Sequence, residues 1–95
     1  MLALLARRLR ATDESLADAM LLDVPGRTAK RLLELAGPGD GFGPSVTQEE
    51  LAAMVGASRE RVNKAIAAFV RLGWVEQAGR RYRVLDRQRL ADRAR

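Results

Sequence analysis

Residues 47–66, TQEELAAMVGASRERVNKAI, constrain the fold more than any other stretch of the chain. Thr47 and Glu50 form a T-x-x-E capping box, in which each side chain can satisfy a backbone N–H that the first helical turn leaves without an intrahelical partner. Leu51, Ala52 and Val55 then fall on one helix face. Gly56 can take the left-handed conformation that ends a helix. Ser58 follows as the natural N-cap of a second helix, expected over 59–72, with Val62, Ile66, Phe69 and Leu72 as its buried stripe and Gly73 as its stop. The small side chain of Ala52 lets two such helices approach closely.

The flanking segments extend this pattern. WVEQA (74–78) and RYRVL (81–85) alternate apolar and polar residues around a tight turn at Gly79-Arg80, which predicts a two-stranded hairpin. Asp86 can cap a short charged helix running to about Ala94. Upstream, Asp23 is an N-cap and Pro25 is tolerated in the first turn of a helix over 24–36. That helix carries Ala29, Leu32, Leu33 and Ala36 on one face. GPGDGFGPS (37–45), with four Gly and two Pro, is a loop and reads as an ordinary connector. Residues 1–22 place Leu2, Leu5, Leu9, Thr12, Leu16 and Ala19 at alternating spacings of three and four, a heptad-like seam with a polar slot at Thr12. So narrow a stripe needs a partner surface, and pairing with a second copy is the favoured arrangement. The expected fold class is mainly α with a small β-hairpin wing: a winged helix-turn-helix at 23–95 preceded by the end of a long dimerisation helix at 1–22.

Charge narrows the function. The net charge is +5, and residues 58–85 hold seven basic residues against two acidic ones, while the remainder is balanced at ten of each. A localised positive footprint suits a polyanion, because basic side chains near phosphates release condensed counterions. With no Cys and no His, disulfides, thiolate and imidazole chemistry and nearly every zinc site are excluded. An enzyme would need paired carboxylates or an activated lysine, and Lys30 and Lys64 are the only lysines. No apolar run approaches the roughly 20 residues of a membrane span. The opening MLALLARRLR has its arginines after the apolar run, the reverse of a secretory signal, and Asp13, Glu14 and Asp18 oppose a mitochondrial presequence. No membrane association, no metal and no cofactor are expected, and the expected compartment is the cytoplasm.

In a helix-turn-helix the first turns of the second helix enter the major groove of DNA. The outward side chains there are Arg59, Glu60, Asn63 and Lys64. Arg can donate twice to guanine O6 and N7, and Glu can accept from cytosine N4. A lone carboxylate among seven cations is costly on a phosphate-binding surface unless it meets a donor. Glu60 is therefore either a base reader or a partner for Arg59 or Lys64 favoured by the helix dipole.

LLDVPGRTAKRLLELA (21–36), TQEELAAMVGASRERVNKAI (47–66) and GRRYRVLD (79–86) resemble the C-terminal DNA-binding half of the bacterial cyclic-AMP receptor protein and fumarate-nitrate regulator family. The S-R-E-x-V element at 58–62 is the most specific part of the match. The resemblance implies that Arg59 and Glu60 contact bases of a TGTGA-like half-site, assisted by Lys64 where Arg is commoner; Lys lacks the planar bidentate fork. It further implies that Thr47, Gln48, Ser58, Arg61 and the wing at Gly79, Arg80 and Arg81 touch phosphates. Asp23 would cap the hinge between the dimerisation helix and the reader. Thr12 falls where cyclic-AMP-binding members place a Thr that reaches the nucleotide. The family's β-barrel effector domain is not expected in this chain, and with it no ligand pocket. The implied partners are double-stranded DNA with a pseudo-palindromic operator, a second copy of the chain through the N-terminal helix, and RNA polymerase. The competing expectation is a winged-helix interaction module whose basic face, 58–85, docks an acidic protein.

Overall fold

A computed structural model of the chain describes residues 23–95. The expected dimerisation helix and its seam at Leu2, Leu5, Leu9, Thr12 and Leu16 lie outside the described residues. The elements in chain order are α1 (Val24–Ala36), α2 (Gln48–Val55), α3 (Arg59–Arg71), β1 (Val75–Ala78), β2 (Arg81–Val84) and α4 (Arg87–Arg93). This is the anticipated winged helix-turn-helix, mainly helical with one hairpin.

Each helix begins where a short polar side chain can take an orphan N–H. Asp23 Oδ1 accepts from Gly26 N at 2.9 Å, Ser58 Oγ from Arg61 N at 3.2 Å and Asp86 Oδ1 from Arg89 N at 3.0 Å. At α2 the capping box is reciprocal: Thr47 Oγ1 accepts from Glu50 N at 3.0 Å, and Glu50 Oε1 from Thr47 N at 3.3 Å. Such caps each contribute about 1 kcal/mol. α2 ends at Gly56, whose φ of 78° is left-handed, with its N–H donating to Ala52 O.

The C-terminal end of α2 is closed from outside. Arg27 and Arg31 of α1 donate to the carbonyls of its last turn, Arg27 Nε to Val55 O and Arg31 Nε to Met54 O, both at 3.1 Å. Cations at a helix C-terminus satisfy orphan carbonyls and oppose the negative dipole end. These arginines therefore fix how α1 crosses α2.

Leu32 of α1, Leu51 and Val55 of α2, Val62, Ile66 and Phe69 of α3, Val75 and Tyr82 of the hairpin and Leu90 of α4 meet in one core. Thr28 is fully buried with them, its hydroxyl satisfied by Val24 O at 2.8 Å. Leu33 and Ala36 are only half-buried. Leu72, expected in the α3 stripe, is 58% exposed. The helix stops at Arg71, the chain turns, and Trp74 instead stacks on Phe69 with ring centroids 5.7 Å apart. The apolar contact predicted for Leu72 is thus made two residues later.

The 37–45 segment is more than a connector. Gly43 N donates to Tyr82 O and Val46 N to Arg80 O, both at 2.9 Å, so it runs along the free edge of β2. Arg81 Nε donates to Gly43 O at 2.9 Å, and Arg87 reaches Gly37 O at 2.7 Å. Gly43 sits so close to the end of α1 that a Cβ there would lie 2.8 Å from Leu35 O. In the hairpin itself, β1 and β2 pair antiparallel with Glu76 opposite Arg83. No helix among the described residues is long and apolar enough to cross a membrane.

Candidate nucleic-acid interface

The buried stripe of α3 leaves the opposite arc without packing duties. Glu60 and Lys64, one turn apart, are exposed on that arc, with Arg59 and half-buried Asn63 on the flank toward α2 and Arg61 on the other flank. Neither Glu60 nor Lys64 has a hydrogen bond or an ion pair among the described residues. The ion pair between Glu60 and Arg59 or Lys64 that its neighbours could have offered is not formed.

Arg59 turns instead toward the start of α2. Its Nη2 donates to Gln48 Oε1 at 3.1 Å and its Nη1 lies 3.4 Å from Glu49 Oε1. Asn63 Nδ2 donates to the same Gln48 oxygen at 3.2 Å. The Arg59–Glu49 pair is more than half exposed on both sides, which puts its worth at the level of a surface salt bridge, under about 1 kcal/mol. It can be released when a stronger partner arrives. Glu49 had no signal in the sequence, where it reads only as a first-turn acid that favours the helix dipole.

Between α2, the start of α3 and the wing lies a cleft of about 410 Å³, lined by Val46, Thr47, Gln48, Glu49, Arg59, Gly79, Arg80 and Tyr82. It gathers Thr47, Gln48, Gly79 and Arg80, four of the residues expected at phosphates, beside Arg59. The Thr47 and Ser58 hydroxyls accept from their own helix backbones, and each keeps its O–H free to donate outward. Arg81 spends its Nε–H on the connector but is otherwise exposed. Arg61 and Lys64 fall outside the cleft. They border a second, mostly apolar groove of about 590 Å³ with Val24, Pro25, Phe69, Arg71, Leu72, Trp74 and Arg93.

Arg83 leaves the cationic footprint. It forms an ion pair with Glu76 across the hairpin, and its guanidinium lies 5.1 Å from the centre of the Phe42 ring. The cations left facing solvent on 58–85 are Arg59, Arg61, Lys64, Arg71, Arg80 and Arg81. Burial pushes the Tyr82 hydroxyl above its ordinary pKa, so it stays neutral at the floor of the cleft.

Residues 26–93 match the model of the Crp-like helix-turn-helix domain. The chain belongs to the Crp-like helix-turn-helix family. It is 51% identical to a CRP-like cAMP-activated global transcriptional regulator of Mycobacterium tuberculosis, in an alignment covering 100% of this chain and 46% of that protein. It is 34% identical to the cAMP-activated global transcriptional regulator Vfr of Pseudomonas aeruginosa over 80% of this chain and 38% of that protein. Among solved structures, it resembles a CRP/FNR-family transcriptional regulator from Thermus thermophilus, with a TM-score of 0.77 at 28% identity over 95% of this chain and 50% of that one. The catabolite activator protein of Thermus thermophilus gives a TM-score of 0.67 at 34% identity, covering 97% of this chain and 43% of that one. The Crp-like chain spans about half the length of the curated relatives it matches.

Proposed function

We propose that this chain is the sequence-reading unit of a bacterial transcription regulator rather than an enzyme. In this reading α3 lies in the major groove of double-stranded DNA, with Arg59, Glu60, Asn63 and Lys64 at base edges. Thr47, Gln48, Ser58, Arg61, Gly79, Arg80 and Arg81 hold the flanking phosphates. The observation that carries it is the free arc of α3: Glu60 and Lys64 stand exposed beside a cationic cleft with no structural partner among the described residues. A solvent-facing carboxylate on a phosphate-binding surface repels the backbone unless it meets a donor, as at cytosine N4.

Because Lys64 is a flexible point charge, it suits a single acceptor or a nearby phosphate rather than a bidentate guanine contact. Pairing of two copies through residues 1–22 would present two α3 helices to half-sites about one helical turn, or about 10–11 bp, apart or a multiple of it. RNA polymerase would be the further partner and the cytoplasm the compartment.

The test is fluorescence-anisotropy titration of a labelled TGTGA-type palindrome and of a scrambled duplex, at two salt concentrations, with wild type and Glu60→Ala. The palindrome should bind more tightly, and Glu60→Ala should relax that discrimination by about 1–3 kcal/mol. Equal binding of both duplexes, governed by salt alone and indifferent to Glu60, would return the basic face to the role of a generic surface for acidic partners.

A further inference from the structure

Gln48 stands at the first position of α2, where a phosphate contact was expected, yet its side chain is committed elsewhere. Its Oε1 accepts from Arg59 Nη2 at 3.1 Å and from Asn63 Nδ2 at 3.2 Å. An amide oxygen has two lone pairs, so the acceptor end of Gln48 is fully used and the carboxamide is fixed in one orientation. Two side chains from successive turns of α3 are thereby tied to a residue of the neighbouring helix. We propose that Gln48 is a positioning residue for base recognition: it sets the direction of Arg59 and fixes the amide of Asn63 so that its oxygen and its one remaining N–H are offered to DNA in a set orientation.

The consequence for specificity follows from hydrogen-bond inventory. A free Asn presents a donor and an acceptor together and pairs bidentately with adenine N6 and N7. Asn63 has one of its two amide N–H donors on Gln48, and its second N–H and its Oδ1 have no partner among the described residues. Pinned at one N–H, the amide meets an adenine N6/N7 edge or a cytosine N4 group in a preset orientation. Arg59 keeps three of its five N–H donors. Held at Nη1 by Glu49 and at Nη2 by Gln48, the guanidinium has fewer orientations to lose when it meets a base, which lowers the ordering cost of that contact. The Gln48 NH₂ group takes no part in this network and still has both donors, so one side chain can join a phosphate to two base readers.

This inference rests on the DNA-reading proposal, and its test separates the two. The palindrome and a set of duplexes with each half-site position substituted in turn are titrated with wild type, Gln48→Met and Gln48→Glu. Met removes acceptor and donors at nearly constant shape; Glu keeps the acceptor and removes the donors. Positioning predicts that Gln48→Met cuts the preference for the palindrome by roughly tenfold, on the scale of one good base contact, while Gln48→Glu preserves the preference even as its overall affinity falls. If Gln48→Met weakens every duplex evenly and leaves the preference intact, Gln48 is a phosphate contact only and the inference is overturned. Equal loss of preference in both variants overturns it too, since the shared acceptor would then be irrelevant. A wild type without sequence preference fails the DNA-reading proposal itself. A DNA-independent check uses the side-chain amide resonances of Asn63 in the free protein: they should shift in Gln48→Met and stay near the wild-type position in Gln48→Glu, and unchanged resonances in Gln48→Met count against the bridge.

Discussion

Arg93 Nη2 donates to Asp23 Oδ2 at 2.7 Å, joining the last turn of α4 to the N-cap of α1 across 70 positions of sequence. At the other end of the same two helices Arg87 donates to Gly37 O, just past the C-terminus of α1. α4 therefore lies antiparallel along α1 and is fastened at both ends, with fully buried Leu90 between.

The Asp23 clasp should make stability depend on pH. The hydrogen bond from Arg93, and next the N–H of Gly26, hold the Asp23 carboxyl below its ordinary value of 3.8, against an opposing but smaller desolvation. A group with the lower pKa in the folded state binds fewer protons there, so its contribution is complete above the ordinary carboxylate value and is lost as pH falls through the folded pKa. Asn at this position keeps a cap but carries no charge. Thermal melts should show Asp23→Asn less stable than wild type near neutrality, with the gap closing as pH falls below the ordinary carboxylate value of 3.8. A gap that stays constant with pH would mean the ion pair contributes nothing.

Leu90 should be worth more than the seven-residue length of its helix suggests. Its side chain is fully buried, and Leu→Ala substitutions at such sites cost about 2–5 kcal/mol. Urea denaturation of Leu90→Ala should fall in that interval. A cost near zero would identify α4 as an appendage that the rest of the domain does without.

Two glycines of the same connector should respond differently to one methyl group. At Gly43 a Cβ would meet the Leu35 carbonyl at 2.8 Å, while at Gly41 it would meet nothing within 4 Å. Backbone cannot yield as a flexible side chain does, so Gly43→Ala should cost about 1–3 kcal/mol. Gly41→Ala should be close to neutral, and equal melting temperatures for the two variants would contradict the close approach.

Arg80 and Arg83 are near neighbours on the wing with different predicted effects on DNA. Arg80 is exposed in the cleft, so Arg80→Ala should weaken all duplexes alike and lower the slope of log affinity against log salt by about 1. Arg83 is bound to Glu76 and Phe42. Arg83→Ala should leave the salt slope unchanged and lower the melting temperature instead.

What could be read from the sequence was whatever the chain decides within a turn or two. The Thr47–Glu50 box, Ser58, Asp86 and Gly56 declare themselves because a cap needs only its own next three residues. The exposed arc of α3 was equally visible, since periodicity fixes which residues are buried. Leu72 failed for a related reason: it continues the stripe arithmetically, but the helix ends at Arg71 and Trp74 takes the place against Phe69. The contacts of Gly43 with Leu35, of Arg27 and Arg31 with the end of α2, and of Gln48 with Asn63 join positions far apart in the chain. No local spacing encodes them. Arg83 was counted as surface charge because its partners, Glu76 and Phe42, come together only when the hairpin folds against the connector.

That connector also braces the wing. Because Gly43 N and Val46 N donate to Tyr82 O and Arg80 O, the free edge of β2 is covered, and the open edge of β1 is only four residues long and carries Glu76 and Gln77. So short and polar an edge is a poor template for strand recruitment by another molecule. Residues inserted between Gly39 and Phe42, clear of the Arg87 and Arg83 contacts, would lengthen a surface loop, whereas a single residue inserted between Gly43 and Val46 would slip the pairing and lift or drop Arg80 relative to Arg59. Length variation between Gly39 and Phe42 should be mechanically silent, while between Gly43 and Val46 it should retune the distance between the wing and the reading helix.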